Sequence, residues 1–294
     1  MTAIFIGIDG GGTSCRAALA DGDGTVVGRG RSGAANILTD PDGGIRHIVE
    51  AAEAACADAG IDKDLLVHAN VVLGLAGANV DGTVSATVER LPFGQCVVES
   101  DALIAALGAL GEKDGAAAML GTGSVFASKN GRSVRTIGGW GFYVGDQGSG
   151  AVLGRSLLQE TLLAHDRVRT GSALTQRVLE DFDGDPAKLV AFAHDALPGA
   201  YARYAPIAFE FAADGDAVAS RIVKEAAAQV DEAIDVILAS TEPRLCLLGG
   251  LGKLYEPWLK SEHRACVVPP AGDALDGAVL LAIERFSMRN KADA

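Results

Sequence analysis

The 294 residues are 49% hydrophobic and 21% charged, with a formal net charge of −13, a globular composition long enough for two modest domains. That acidity argues against a nucleic-acid or anionic-membrane surface, because clustered Lys and Arg are needed to displace counterions from phosphates. No run of about 18 apolar residues offers a membrane span, no basic segment precedes the first strand, and the five cysteines form no C-x-x-C pair. A cytoplasmic protein without a zinc site or disulfide framework is expected.

The segment from Ala3 to Asp9 is apolar and rich in Ile and Phe. Cys15 to Ala20 is again short and apolar, and Asp21-Gly-Asp-Gly24 turns into Thr25 to Arg31. Three strands joined by two glycine turns make a meander. A helical pattern, IRHIVEAAEAACADAG, then ends on Gly60. It is followed by a strand in HANVVLGLAG, a helical stretch near Val80 to Leu91, the strand QCVVES and the helix DALIAALGAL, which ends at Gly111. Strands alternating with helices predict a parallel extension of the sheet.

The pattern then restarts. Ala116 to Leu120 is apolar, Gly121-Thr-Gly-Ser124 is a tight turn, Val125 to Lys129 reads as strand, and Asn130-Gly131 is a strong hairpin signal before Ser133 to Ile137. Residues 150–238 are mostly helical. Strands in RLCLLGG and RACVVPP flank a helix near Leu254 to Lys260, and a last helix runs from about Asp273 to Arg285. The expected organisation is α/β, with an N-terminal lobe at 1–114 and a C-terminal lobe at 115–294 facing each other across a cleft. EKDG at 112–115 is the crossing, and the final helix, about 273–287, is able to pack back on the first lobe.

Asp9-Gly10-Gly11-Gly12-Thr13 is the most informative stretch. It lacks the G-x-x-x-x-G-K-[ST] of a P-loop, and a strand rather than a helix follows, with Cys15 where a dinucleotide fingerprint needs its third glycine. What remains is a hairpin turn whose glycines allow close backbone approach, so that successive N–H groups can converge on an anion. A ligand-free glycine hairpin is the alternative, and the recurrence as Gly121-Thr122-Gly123-Ser124 weighs against it. Two such turns, one per lobe, suit a polyphosphate.

The chain resembles the sugar-kinase, Hsp70 and actin superfamily, and within it the BadF/BadG/BcrA/BcrD-type ATPase and N-acetylglucosamine kinase family. The residues that carry the likeness are IGIDGGGTSCRAAL, GAANI at 33–37, VLGLAGA at 72–78, ESDALIAALGA at 99–109, MLGTGS at 119–124, GGWGFYVGDQGSGAVLG at 138–154, LLGGL at 247–251 and PPAGDALDGAVLLA at 269–282. The wording of SGAAN, DQGSGAVLGRSLLQ and ALPGAYARYAP is similar to bacterial glucosamine kinases. The resemblance implies a two-lobed actin-like, ribonuclease H-like ATPase fold with mixed sheets, with ATP and Mg²⁺ as cofactors and a homodimer.

By that resemblance Asp9 to Thr13 is the first phosphate motif, with Asp9 coordinating Mg²⁺ directly or through water, and Gly121, Thr122 and Gly123 belong to the second. Gly249 and Gly250 lie against adenosine, while Asn36, Ser124, Gly139 and Asp146 bind the sugar. Asp101 contacts the sugar and accepts the proton of its attacking hydroxyl. Phosphoryl transfer asks for this equipment: charge neutralisation on the transferred group and an oriented nucleophile. From spacing alone, Asp101 at the strand-to-helix junction is equally a helix cap with Ser100. The competing accounts are a turn residue for Asn36, an Asx turn for Asp146 and a plain strand-to-helix turn for Gly249-Gly250. Acetyl-binding relatives often carry asparagine after GTGS and an aromatic pair after the position of Asn36, where this chain has Val125 and Ile37. Free D-glucosamine, phosphorylated at its 6-hydroxyl, is therefore the expected acceptor, with N-acetylglucosamine the alternative. A BadF-like activator carrying an iron–sulfur cluster would need convergent thiolates, which the cysteine spacing does not suggest. A sugar-responsive regulator without catalysis would have no use for Asp101.

Overall fold

The structure, a computed structural model, describes residues 4–37, 40–75 and 83–292. The chain divides into two compact units, Met1–Lys113 with Pro270–Ala294, and Asp114–Pro269. Part of VLGLAGA and the start of the stretch near Val80 lie outside the described residues.

The first unit is built on a five-stranded sheet in the order β3-β2-β1-β4-β5. Its strands are β1 (Phe5–Gly10), β2 (Cys15–Ala20), β3 (Val26–Ser32), β4 (Asn70–Leu75) and β5 (Gln95–Ser100). Strands β1 to β3 form the antiparallel meander, and β4 and β5 extend it in parallel. Helices α1 (Pro41–Asp58), α2 (Thr83–Val88) and α3 (Asp101–Leu110) follow β3, β4 and β5. Asp40 starts α1 by accepting from the Gly43 N–H with Pro41 in the first turn, and Ile45, Ile48, Ala52 and Ala55 then recur on one buried face.

The second unit repeats the frame in four strands, β8-β7-β6-β9. Strands β6 (Gly115–Leu120), β7 (Ser124–Asn130) and β8 (Ser133–Gly138) are an antiparallel meander, and β9 (Leu245–Leu248) pairs with β6 in parallel. Helices α4 (Gly150–His165), α5 (Ala173–Glu180), α6 (Pro186–Asp195), α7 (Pro198–Ala202), α8 (Ala205–Ala213) and α9 (Ala217–Leu238) lie between β8 and β9. Leu153, Leu157, Tyr204, Phe209 and Val223 are among the residues of their shared core. The stretch read as a helix near Leu254 to Lys260 is the short α10 (Gly252–Tyr255) and a 3-10 turn at Glu256–Trp258 that contains Pro257. RACVVPP is not a strand. Its first residues end α11 (Ser261–Ala265), and Val267 makes only an isolated bridge to Leu245 before Pro269 and Pro270 remove further donors.

The last helix, α12 (Ala274–Ala292), belongs to the first unit. It crosses α3 at Gly108 and Gly277, where a Cβ on Gly277 would lie 1.9 Å from the Ile104 carbonyl oxygen. Glycine is there because two helix backbones nearly touch.

Candidate active site

In the first unit the turn between β1 and β2 is closed by the Gly11 N–H donating to the Ser14 carbonyl at 3.0 Å. The Gly11 carbonyl accepts from the Ala35 N–H at 2.9 Å, which ties the loop carrying Asn36 to the turn. The glycines differ in what requires them. A Cβ on Gly10 would come 2.5 Å from the Leu75 side chain, whereas one on Gly12 would meet no protein atom within 4 Å, and the Gly12 backbone is not left-handed. Neither packing nor a left-handed backbone requires glycine at 12, and the space beside it is open. Thr13 beside it is exposed.

Asp9 is half-buried at the end of β1 and stands opposite Arg16 in the strand register. Arg16 donates to Asp9 Oδ2 from Nη2 at 2.6 Å and from Nε at 3.2 Å, and its Nη1 reaches Asp273 Oδ2 at 2.6 Å. Asp273 in turn caps α12, its Oδ1 accepting from the N–H groups of Leu275 and Asp276 at 2.9 and 3.2 Å. Arg16 therefore fixes one oxygen of Asp9, and Oδ1 is the oxygen it does not take. A single hard carboxylate oxygen beside a glycine turn suits Mg²⁺, which binds through one or two carboxylates, phosphate oxygens and water. Arg16 and Asp273 were not picked out in the sequence. Counting back from the turn, which places Arg16 across from Asp9, was the signal available.

Asp101 is the first residue of α3 at the end of β5. Ser100 is the helix cap, its Oγ accepting from the Leu103 N–H at 3.2 Å, while Asp101 Oδ1 accepts from the N–H of its neighbour Ala102 at 2.8 Å. The capping role thus falls to Ser100, and it does not account for Asp101. The residue has an open side, yet the surrounding protein strips enough water from its carboxylate to raise the pKa above the ordinary value, and the nearby negative charge of Asp9 raises it further. Asp9, the glycine turn, the Asn36 loop and Asp101 are thus brought together in one unit.

In the second unit the turn from Gly121 to Gly123 has its carbonyls turned into the protein. Gly121 O accepts from Gly150, Thr122 O from Ala151 and Gly123 O from Gly121, at 2.8, 3.1 and 2.9 Å. With its acceptors engaged in this way and the Gly121 N–H used within the turn, what the turn can offer a ligand is its other N–H groups. Gly121, like Gly12, would meet nothing with a Cβ. Gly249 and Gly250 separate in the same way. Gly249 has φ +80° and its Cβ would sit 2.3 Å from the Leu120 carbonyl oxygen, whereas a Cβ on Gly250 would be free. The Leu251 N–H donates to Leu120 O at 3.0 Å, so this turn lies beside the GTGS turn.

Asp146 is buried, with a left-handed backbone at φ +57° that non-glycine residues rarely adopt. Its Oδ1 accepts from the Gly141 N–H at 3.1 Å, and a backbone hydrogen bond from Ser124 reaches the same carboxylate. Burial raises its pKa, and these hydrogen bonds oppose the shift. Asp146 thus clamps the loop 138–145 to the GTGS turn. Ser124 Oγ donates to the Gln147 carbonyl at 2.8 Å, and the buried Tyr255 hydroxyl donates to the Gly148 carbonyl at 2.7 Å. Gly139 has a reason within the fold, with φ +73°, its N–H donating to Ser124 O and Val125 Cγ2 2.9 Å from where a Cβ would stand. Cys15, Cys56 and Cys246 are buried, and burial pushes the thiols of Cys15 and Cys96 up to about 12, which makes them poor ligands and nucleophiles.

Residues 6–282 match the model of the BadF/BadG/BcrA/BcrD ATPase family. The chain belongs to that family. The glucosamine kinase GspK of Vibrio cholerae serotype O1 is 35% identical to it over 279 residues, 95% of each chain. A candidate N-acetylglucosamine kinase from Chromobacterium violaceum has a solved structure that superposes with a TM-score of 0.82 at 32% identity, covering 95% of this chain and 99% of that one. A ROK family glucokinase from Streptomyces griseus, solved in complex with glucose and AMPPNP, shares the fold at a TM-score of 0.54 and 20% identity, over 96% of this chain and 100% of its own. The fold is the α/β actin-like fold of sugar kinases. Among the described residues no helix is long and apolar enough to cross a membrane.

Proposed function

We propose that this family member is an ATP-dependent amino-sugar kinase that phosphorylates the 6-hydroxyl of D-glucosamine. The observation that carries the reading is the pairing, in one unit, of Asp9 at a glycine turn with Asp101 at the exposed start of α3, where Ser100 supplies the N-cap. Likeness to a glucosamine kinase over 95% of both chains supplies the acceptor class. The two glycine turns bind the nucleotide phosphates through N–H groups, and Gly250 lets the purine approach. Asn36, Ser124, Gly139 and Asp146 serve the sugar, with Asp146 and Gly139 acting by shaping the loop. Asp101 takes the proton of the 6-hydroxyl as the O6–P bond forms and the bond from the γ-phosphorus to its bridging oxygen breaks, releasing ADP. Asp9 would hold Mg²⁺, which neutralises charge on the phosphates. Arg16 keeps Asp9 oriented through its two hydrogen bonds to Oδ2. A cytoplasmic homodimer belongs to the same reading.

The test is ADP release with glucosamine, N-acetylglucosamine and glucose offered in parallel. The reading expects ADP and glucosamine 6-phosphate, with the highest kcat/KM for glucosamine. A higher value for N-acetylglucosamine would move the assignment to the acetylated acceptor, as the Chromobacterium neighbour suggests, and no ADP with any sugar would overturn it.

A further inference from the structure

The two carboxylate oxygens of Asp273 do different work. Oδ1 caps α12 through the N–H groups of Leu275 and Asp276, and the Asp276 carboxylate returns the bond by accepting from the Asp273 N–H at 2.9 Å, a reciprocal cap. Oδ2 accepts from Arg16 Nη1 at 2.6 Å. A cap needs one acceptor, which Ser or Asn supplies as well as Asp does. The second oxygen and its charge are accounted for by Arg16.

The helix that carries Asp273 is itself pinned within the first unit. It crosses α3 where Gly108 and Gly277 nearly touch, the Ala271 N–H just before it donates to the Ala109 carbonyl at 2.8 Å, and Arg285 pairs with Glu99 of β5. Arg16 and Asp273 are 37% and 48% exposed in their side chains, and such a pair by itself stabilises a fold little. Its consequence is for Asp9. The Asp9–Arg16 pair is neutral, whereas two carboxylates against one guanidinium leave a net negative row beside Oδ1 of Asp9, which favours an approaching cation. Anchored at both ends, the guanidinium also stays on Oδ2. We propose that Asp273 is a positioning residue for the metal carboxylate: acting through Arg16, it holds the guanidinium in place and offsets its charge, so that Asp9 Oδ1 is available to the divalent cation that accompanies the nucleotide. The inference rests on the kinase reading, in which Asp9 holds that cation.

Asp273→Ser separates the two oxygens' work, because Ser keeps the cap and loses the contact with Arg16, and the melting transition should stay near wild type. Mn²⁺ serves as the probe in place of Mg²⁺, titrated with ADP present and read by the fall of its free electron paramagnetic resonance signal, without turnover. Its dissociation constant should rise about three- to tenfold, below the 10- to 100-fold typical of a partner that bonds a metal ligand directly. Asp273→Asn, an equally good cap without the charge, should show the same loss. In an Arg16→Gln background Asp273→Ser should change the constant by less than about twofold, since the residue through which it acts is gone. An unchanged constant in both single variants, or an equal loss in the Arg16→Gln background, overturns the inference and leaves the kinase reading standing. Wild-type protein that binds no Mn²⁺ with ADP sinks the role of Asp9 and the inference with it.

Discussion

The turn in the first unit and the turn in the second sit at the same place in the same frame, the first hairpin of a meander whose leading strand also pairs in parallel. They differ in charge. One register step before the turn, the first unit has Asp9 opposite Arg16 and the second has Met119 opposite Val125. The carboxylate at the start of α3 and the second anion bound to Arg16 also lie in the first unit. The second turn is surrounded by hydrogen bonds that orient its backbone, two of them from the start of α4. On the proposed reading the repeated backbone device divides its labour: both turns would offer N–H groups to phosphates, and the carboxylates for metal and proton chemistry would come from the first unit alone.

The strongest way to break that division is Asp101→Asn. Turnover should fall on the order of 10²- to 10⁴-fold while nucleotide and sugar binding stay near wild type, read by steady-state kinetics beside calorimetry. Full turnover in the variant would remove Asp101 from the base role. Its pKa also predicts a pH profile. A base acts in its ionised form, so activity is complete above the pKa and is lost as pH falls through it. Because burial and Asp9 raise that pKa, the acid limb of kcat/KM should lie above the ~3.9 of an ordinary aspartate and disappear with the residual rate of the Asn variant.

The cross-strand pairs offer a sharper contrast. Arg16→Gln should raise the KM for MgATP by about tenfold and weaken Mg²⁺-dependent nucleotide binding in calorimetry, with Arg16→Lys recovering part of it, since one ammonium cannot span Asp9 and Asp273 as the guanidinium does. Val125→Thr at the matching place in the second unit should leave KM for MgATP within about twofold, as an apolar pair without charge work would. Equal effects at both positions would contradict the division.

Much of this was legible in the sequence because it is local. Glycine turns between short apolar strands, the restart at Ala116 and the strand-to-helix position of Asp101 are each signalled by a short run of consecutive residues. What was missed depends on distance. Asp273 meets Arg16 across 257 residues, and no spacing rule reaches that far. RACVVPP has the apolar composition of a strand, yet its backbone serves the end of α11 and a single bridge to Leu245. Gly249 and Gly250 look interchangeable on paper, and the left-handed backbone of Gly249 and the nearby Leu120 carbonyl distinguish them. That difference yields a smaller prediction. Gly249→Ala should cost about 1–3 kcal/mol of stability in chemical denaturation, whereas Gly250→Ala should stay within ~0.5 kcal/mol of wild type and weaken nucleotide binding instead.

The most direct test of the central claim is calorimetric titration of a non-hydrolysable ATP analogue into Gly12→Val and Gly121→Val. Neither added side chain meets protein atoms at its Cβ, so both variants should keep most of their wild-type melting temperature. The account predicts that each loses at least about tenfold in nucleotide affinity, because a side chain now occupies the path of a phosphate to the N–H groups. Wild-type affinity in either folded variant would contradict it.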